Sequence, residues 1–236
     1  GYEERLISNG EKIFELTSFP GTITARRLRN GETLLAGINW FGTEGIVLAI
    51  TNKDGQVTQK INFPEYRYVR LIRQTTKGTF LVTANDVVFE GDSNGDILWE
   101  TKVTGREDPH AWQALRLKNG TTVLSSGYGG GIHIFNKKGD LIKLINGPGR
   151  VNPYFYSGLQ ILRNGDMVVT NWQGHGPGHG TSGEQLLEYS PDGKLVWSWK
   201  QDPTHFSSLQ GVIVLDGLDT NYLHVEDENG VLAPVK

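Results

Sequence analysis

Glycine turns recur along this chain at an interval of about 45 residues, in two interleaved series. A period of that size marks a chain assembled from copies of one supersecondary unit. The first series comprises Asn30-Gly31, Lys77-Gly78, Asn119-Gly120, Asn164-Gly165 and Asp216-Gly217, spaced by 47, 42, 45 and 52 residues. The second comprises Asn9-Gly10, Asp54-Gly55, Asn94-Gly95, Lys138-Gly139 and Asp192-Gly193, spaced by 45, 40, 44 and 54. Each turn lies between two apolar runs. Asn-Gly and Asp-Gly in that setting favour two-residue hairpin turns, whose central residues take positive φ. A repeat is therefore two hairpins, with strands a to d: the first series joins a to b and the second joins c to d.

Four-stranded antiparallel units repeated about an axis are propeller blades, which leave only short, protected sheet edges. A β-sandwich also uses hairpins but does not require two turn series in strict alternation. The expected fold is all-β, a single β-propeller domain over residues 1–236. Gly1 to Thr17 reads as strands c and d, and Leu209 to Asp227 as strands a and b. The two ends complete one composite blade, giving five blades. A further turn at Asn229-Gly230 leaves six blades as the alternative.

The strand-d segments DSNGDILWETK and SPDGKLVWSWK resemble the repeats of PQQ-like and arylsulfotransferase-like propellers. The resemblance implies this architecture, with Phe14, Trp99, Trp197 and Trp199 packing between neighbouring blades. Activities in such families run from quinone-dependent oxidation through sulfate transfer to plain binding, so fold alone selects none of them. The sequence has no vicinal Cys pair, and no His-plus-cation set for sulfate can be assigned.

Composition narrows the partners. A net charge of −3, with basic residues scattered singly, provides no footprint for nucleic acid or an anionic membrane. No apolar run approaches the length of a membrane span. The absence of Cys excludes disulfides and thiol chemistry. The chain opens on Gly1 in what reads as mid-strand, so either the chain was trimmed or a leader was removed, which favours an exported protein, periplasmic or secreted.

Propeller geometry brings the first residues of each strand a together at the axis. These are Thr22 and Thr24, Arg67 and Tyr68, His110 and Trp112, Tyr154 and Tyr156, and His205 with Ser207 and Ser208. The b-to-c connections open on the same face, and Asn39-Trp40-Phe41-Gly42 is echoed by Asn171-Trp172-Gln173-Gly174. Aromatic faces beside polar tips suit a flat polar ligand. The expected ligand-binding set is Trp40, His110, Trp112, Tyr156, Trp172, His175 and His205. The loop GHGPGHGTSGE adds His175 and His179 as weak metal candidates, with Glu44 and Glu184 as possible carboxylates, although its Gly and Pro residues rule out the helical i, i+4 spacing of zinc proteases. His133 alternates with apolar strand positions and reads as a packing residue, and His224 falls near the closure. No cofactor is implied, and no nucleophile elbow or phosphate loop occurs.

The leading functional expectation is a non-catalytic, extracytoplasmic binding propeller for a small polar ligand, glycan or protein partner. The alternative is a His-dependent hydrolase or lyase, metal-assisted or not, acting on a glycan or polyanion through His110, His205 and the His175/His179 loop.

Overall fold

In the computed structural model, which describes residues 1–6, 8–104, 108–218, 224–227 and 230–234, the chain is a five-bladed propeller with a composite blade drawn from both ends. The N-terminal hairpin is β1 (Tyr2–Arg5) and β2 (Lys12–Leu16). The first complete blade is β3 (Thr24–Arg27), β4 (Thr33–Ile38), β5 (Ile46–Thr51) and β6 (Val57–Phe63). The second is β7 (Val69–Gln74), β8 (Phe80–Ala84), β9 (Val87–Gly91) and β10 (Ile97–Lys102). In the third repeat β11 (Gln113–Arg116), β12 (Thr122–Ser125), β14 (Gly131–Phe135) and β15 (Leu141–Asn146) form the blade, while the short β13 (Gly127–Tyr128) crosses to its neighbour. That neighbour is β16 (Phe155–Ile161), β17 (Met167–Trp172), β18 (Leu186–Tyr189) and β19 (Leu195–Trp199), a sheet of five strands once β13 has joined. A last hairpin pairs β20 (His224–Glu226) with β21 (Leu232–Pro234).

All ten turn glycines take positive φ. The residue before each of them does not, so the turns are not the two-residue primed type. Leu28 N–H bonds the Glu32 carbonyl and Gly31 N–H bonds the Leu28 carbonyl, a three-residue loop with a glycine bulge, and the pattern recurs at Asn52, Asp92, Leu117, Asn136, Leu162 and Ser190. The two series differ in their first residue. Three of the c-to-d turns open on Asn52, Asp92 or Asn136, whose side-chain oxygen accepts from two backbone N–H groups of its own loop.

The core lies in layers between consecutive blades. Leu16, Phe19, Leu35 and Ala49 join the N-terminal hairpin to the first blade. Leu34, Leu48, Phe63, Ile72, Phe80 and Phe89 fill the next layer, Leu81, Val88, Ala114 and Phe135 the third, and Val123, Ile132, Leu159 and Leu187 the fourth. The innermost strands run parallel around the axis and are joined by side chains. Gln113 bonds both backbone groups of Leu159, and Gln160 both those of Val214. The second pair, with Gly158 N–H bonding the Gln210 carbonyl, sets residues 209–217 in the inner position of the fifth blade without a ladder. Among the described residues no ladder joins this segment to β1, and residues 219–223 of the expected a–b hairpin lie outside them, as does Asn229 of the Asn229-Gly230 turn.

A charged unit repeats between blades. Glu4 stands opposite Phe14 across β1 and β2, and Arg27 of β3 pairs with Glu4 at 3.0 Å while its guanidinium lies 4.3 Å from the Phe14 ring centre. Glu90 stands opposite Trp99, and Arg116 of β11 pairs with Glu90 at 3.2 Å and lies 4.1 Å over Trp99. Burial pulls the Arg116 guanidinium below its ordinary value, and Glu90 opposes that shift. Phe14 and Trp99 thus pack between blades as expected, whereas Trp197 and Trp199 do not, being 46% and 36% exposed.

Because Arg116 and Glu90 are mostly buried, Arg116→Ala leaves an unpaired carboxylate and should destabilise by about 3–5 kcal/mol in urea unfolding. Trp99→Ala should be strongly coupled to it in a double-mutant cycle. Trp197→Ala should change stability by no more than about 1 kcal/mol, as expected for an exposed side chain.

Candidate functional site

Where β16 begins, the chain gathers a belt of rings. Phe155 is its centre, with ring centres 4.7 Å from Tyr128, 5.2 Å from Trp112, 5.5 Å from Trp172 and 6.0 Å from His110. Tyr154 bridges Tyr128 at 5.6 Å and Trp172 at 6.3 Å, and His175 closes one end, 4.7 Å from Trp172. The Arg70 guanidinium lies 5.3 Å from the Trp112 ring. Phe155 and Trp172 are buried floor, while Tyr154 and His175 open to solvent.

The local sequence explains this convergence. The glycine-rich run after Ser126 lets the third b-to-c connection turn back as β13, which pairs Gly127 with Tyr156 and Tyr128 with Phe155. Gly127 has φ of 65°, and a Cβ there would stand 2.6 Å from the His110 Cβ, so only glycine admits the histidine. Asn171, wholly buried, accepts from the Tyr154 N–H and donates to the carbonyls of Val151, Asn152 and Glu184, fixing the two loops that flank the belt.

His110 is oriented by a carboxylate. Its Nε2 lies 3.2 Å from Asp108 Oδ1, so in the neutral ring the proton sits on Nε2 and the lone pair on Nδ1. Nδ1 is buried and has no hydrogen-bond partner among the described residues, a costly arrangement for a polar atom with no task.

The structure brings His110, Trp112, Trp172 and His175 of the expected set together and separates the rest. Trp40 belongs to another cluster, with Phe19 at 5.5 Å and Phe41 at 6.2 Å, and its indole N–H donates to the Pro20 carbonyl. The Asn-Trp echo fails in backbone terms: Asn39 is left-handed and opens a 3-10 turn, whereas Asn171 and Trp172 continue β17. Tyr156 is 0% exposed and its hydroxyl meets that of Tyr189, because strand alternation turns it away from the surface that Phe155 faces. His205 is exposed and bonds Asp202 and Thr204 of its own turn. Its segment nevertheless packs on the His175 loop through Ser207 to the Gly176 carbonyl and through Ser208 to Gln173. His179 Nδ1 donates to the Gln173 carbonyl at 3.0 Å, so it holds that loop. Among the described residues no three His, Cys, Asp or Glu side chains converge as a metal site. His133 is fully buried and stacked on Phe135, as a packing residue should be.

Sequence reasoning missed Tyr128, Phe155, Arg70 and Asp108. The Gly-Tyr-Gly-Gly-Gly run was the available signal, since it occupies the same b-to-c place as the two Trp loops. A cavity of about 610 Å³ opens at the opposite end of the inner strands, between Leu117, Ile161, Met167 and Val231, with Arg163 and Asp227 as the charged groups of its otherwise mainly apolar wall.

No protein family matches the chain, and no curated protein matches it. Solved structures do. A Bacteroides caccae protein of unknown function is 25% identical with a TM-score of 0.65, over 86% of this chain and 76% of that one. A streptogramin B lyase is 12% identical with a TM-score of 0.59, over 84% of this chain and 62% of that one. A catalytically inactive His-to-Ala variant of the Staphylococcus aureus virginiamycin B lyase, with quinupristin, is 15% identical with a TM-score of 0.58, over 80% and 58%. The chain thus spans about three fifths of the lyases' length. These likenesses establish the propeller fold. The expectation of a non-catalytic binding protein is corrected to this extent: among these similar propellers, the ones with a stated activity are lyases.

Trp172 is 7% exposed and carries three ring contacts. Trp172→Ala should therefore cost about 3–5 kcal/mol of stability in thermal or urea unfolding, rather than leave the fold untouched. Tyr156→Phe should cost only about 1 kcal/mol, and any catalytic rate should be unchanged, since its hydroxyl serves Tyr189.

Proposed function

We propose that this propeller is a lyase-type enzyme, acting outside the cytoplasm on a glycan that carries carboxylates, with His110 as the general base. The observation that carries this reading is the Asp108–His110 pair, whose second nitrogen is buried beside the aromatic belt with no hydrogen-bond partner among the described residues. A carboxylate that fixes one imidazole nitrogen makes the other the proton acceptor. The His-to-Ala variant described as inactive among the similar lyases supports a catalytic histidine on this fold.

The residues supply complementary tasks. Phe155, Trp172 and Tyr154 offer faces on which a sugar ring stacks. The Arg70 guanidinium beside Trp112 receives the substrate carboxylate, which acidifies the adjacent C–H. His110 Nδ1 takes that proton, the C–O bond β to the resulting carbanion breaks, a C=C bond forms, and His175 delivers a proton to the departing oxygen. Reaching Nδ1 requires the rings that cover it to shift, and Tyr128 sits on a glycine-flanked strand that permits the movement. The resemblance of strand d to PQQ-like and arylsulfotransferase-like repeats enters as a proposal of common architecture and brings no cofactor into this scheme.

A panel of uronate-containing oligosaccharides, followed by the near-ultraviolet absorbance of a conjugated C=C bond, checks the reaction. His110→Ala should lower the rate about a hundred- to ten-thousand-fold and Asp108→Asn by a smaller factor, with melting temperature retained. Product formed in ¹⁸O-water should carry no label. Incorporation of ¹⁸O would replace the lyase reading with hydrolysis, and full activity in His110→Ala would remove the site.

A further inference from the structure

The charged unit between blades occurs a third time, and there it is incomplete. Glu188 of β18 stands opposite Trp197 of β19 in the same cross-strand pairing as Glu4 with Phe14 and Glu90 with Trp99. The other two c-strands carry Ile50 opposite Gln59 and Ile134 opposite Lys143 at this register, so the acid–aromatic pair is not a general feature of the blades. In the two complete units the arginine stands three residues before the Asn of the next a-to-b turn, as Arg27 before Asn30 and Arg116 before Asn119. The third position, three residues before Asp216, is Ile213, and it is 63% exposed.

The consequences are visible at the surface. Trp197 and Trp199 lie on the same side of an edge strand and are 46% and 36% exposed, beside the exposed Val196. Burial, followed by a hydrogen bond and charge from Asp166, holds the Glu188 carboxyl above its ordinary value. Aromatic faces beside an acidic group attract a guanidinium by cation–π and ionic contact together.

We propose that Glu188 and Trp197 form a docking site for an arginine side chain of a partner polypeptide, whose guanidinium takes the place that those of Arg27 and Arg116 occupy in the complete units. Charge complementarity and the two filled copies within the same chain identify the occupant.

The probe is a blocked peptide with the sequence of residues 24–31, TARRLRNG, which carries the strand that covers Glu4 and Phe14 in this fold. It contains no Trp, so tryptophan fluorescence reports the protein alone. Titration should saturate with a Kd below about 1 mM. Affinity should fall about tenfold or more for Trp197→Ala, for Glu188→Gln, and for a peptide with citrulline at its Arg27 position. Ile213→Arg, which supplies the guanidinium within the chain, should raise the melting temperature by about 2–4 °C and abolish peptide binding. No saturation, equal affinity for the citrulline peptide, or unchanged binding by Ile213→Arg would overturn the proposal. Self-association in sedimentation that Glu188→Gln removes would assign the site to a second copy instead, and would likewise overturn a foreign partner.

Discussion

The carboxamide of Gln113 closes on both backbone groups of Leu159, and the ring depends on bonds of this kind. Around a propeller axis the innermost strands of adjacent blades run parallel but lie too far apart for a ladder, so their buried amides and carbonyls need partners from side chains. A long amide side chain supplies a donor and an acceptor at once. Ser125 does the same on a smaller scale, donating to the Ser157 carbonyl. Gln160 then repeats the arrangement against Val214, which is how residues 209–217 are held in the fifth position without a strand ladder.

Once the inner strands are registered, the outer parts of the blades can select what lies between them. Three interfaces between complete blades are filled by aliphatic and aromatic side chains; one of them also buries an arginine between a glutamate and a ring, and the interface with the N-terminal hairpin repeats that unit. A buried ion pair of that kind contributes little net stability compared with apolar packing, but it penalises misalignment because an unpaired charge would remain. At the closure, Arg27 pairing with Glu4 therefore fixes which blade receives the N-terminal hairpin.

The site belongs to the same logic. His110, Trp112, Tyr128, Phe155 and Trp172 come from two adjacent repeats, and their convergence depends on Gly127 and Asn171, neither of which touches solvent as a functional group. Asn171 satisfies four backbone groups with one side chain, so the loops around the belt are held by a fully paired polar centre. Belt residues supported in this way have their orientation defined before any ligand arrives.

The sequence by itself determined the repeat, the four-stranded unit, the positive φ of every turn glycine and the use of both ends in one blade, because these rest on local chemistry and on periodicity. It also placed His110, Trp112, Trp172 and His175 on one face, since strand polarity decides that. Tertiary structure alone decided that Trp40 caps a different cluster, that Tyr156 points inward to Tyr189, and that Trp197 is exposed where Trp99 is covered. Similar strand-d segments diverged because each ring's burial is set by the side chain that the next blade presents: an arginine over Trp99 and, among the described residues, none over Trp197. The turn type was a matter of hydrogen bonds as well, since Asn30 precedes a bulged glycine instead of sharing its left-handed conformation. Asp108, Tyr128 and Phe155 escaped notice for the same physical reason, which is that a site built where neighbouring blades meet has no spacing in sequence to reveal it.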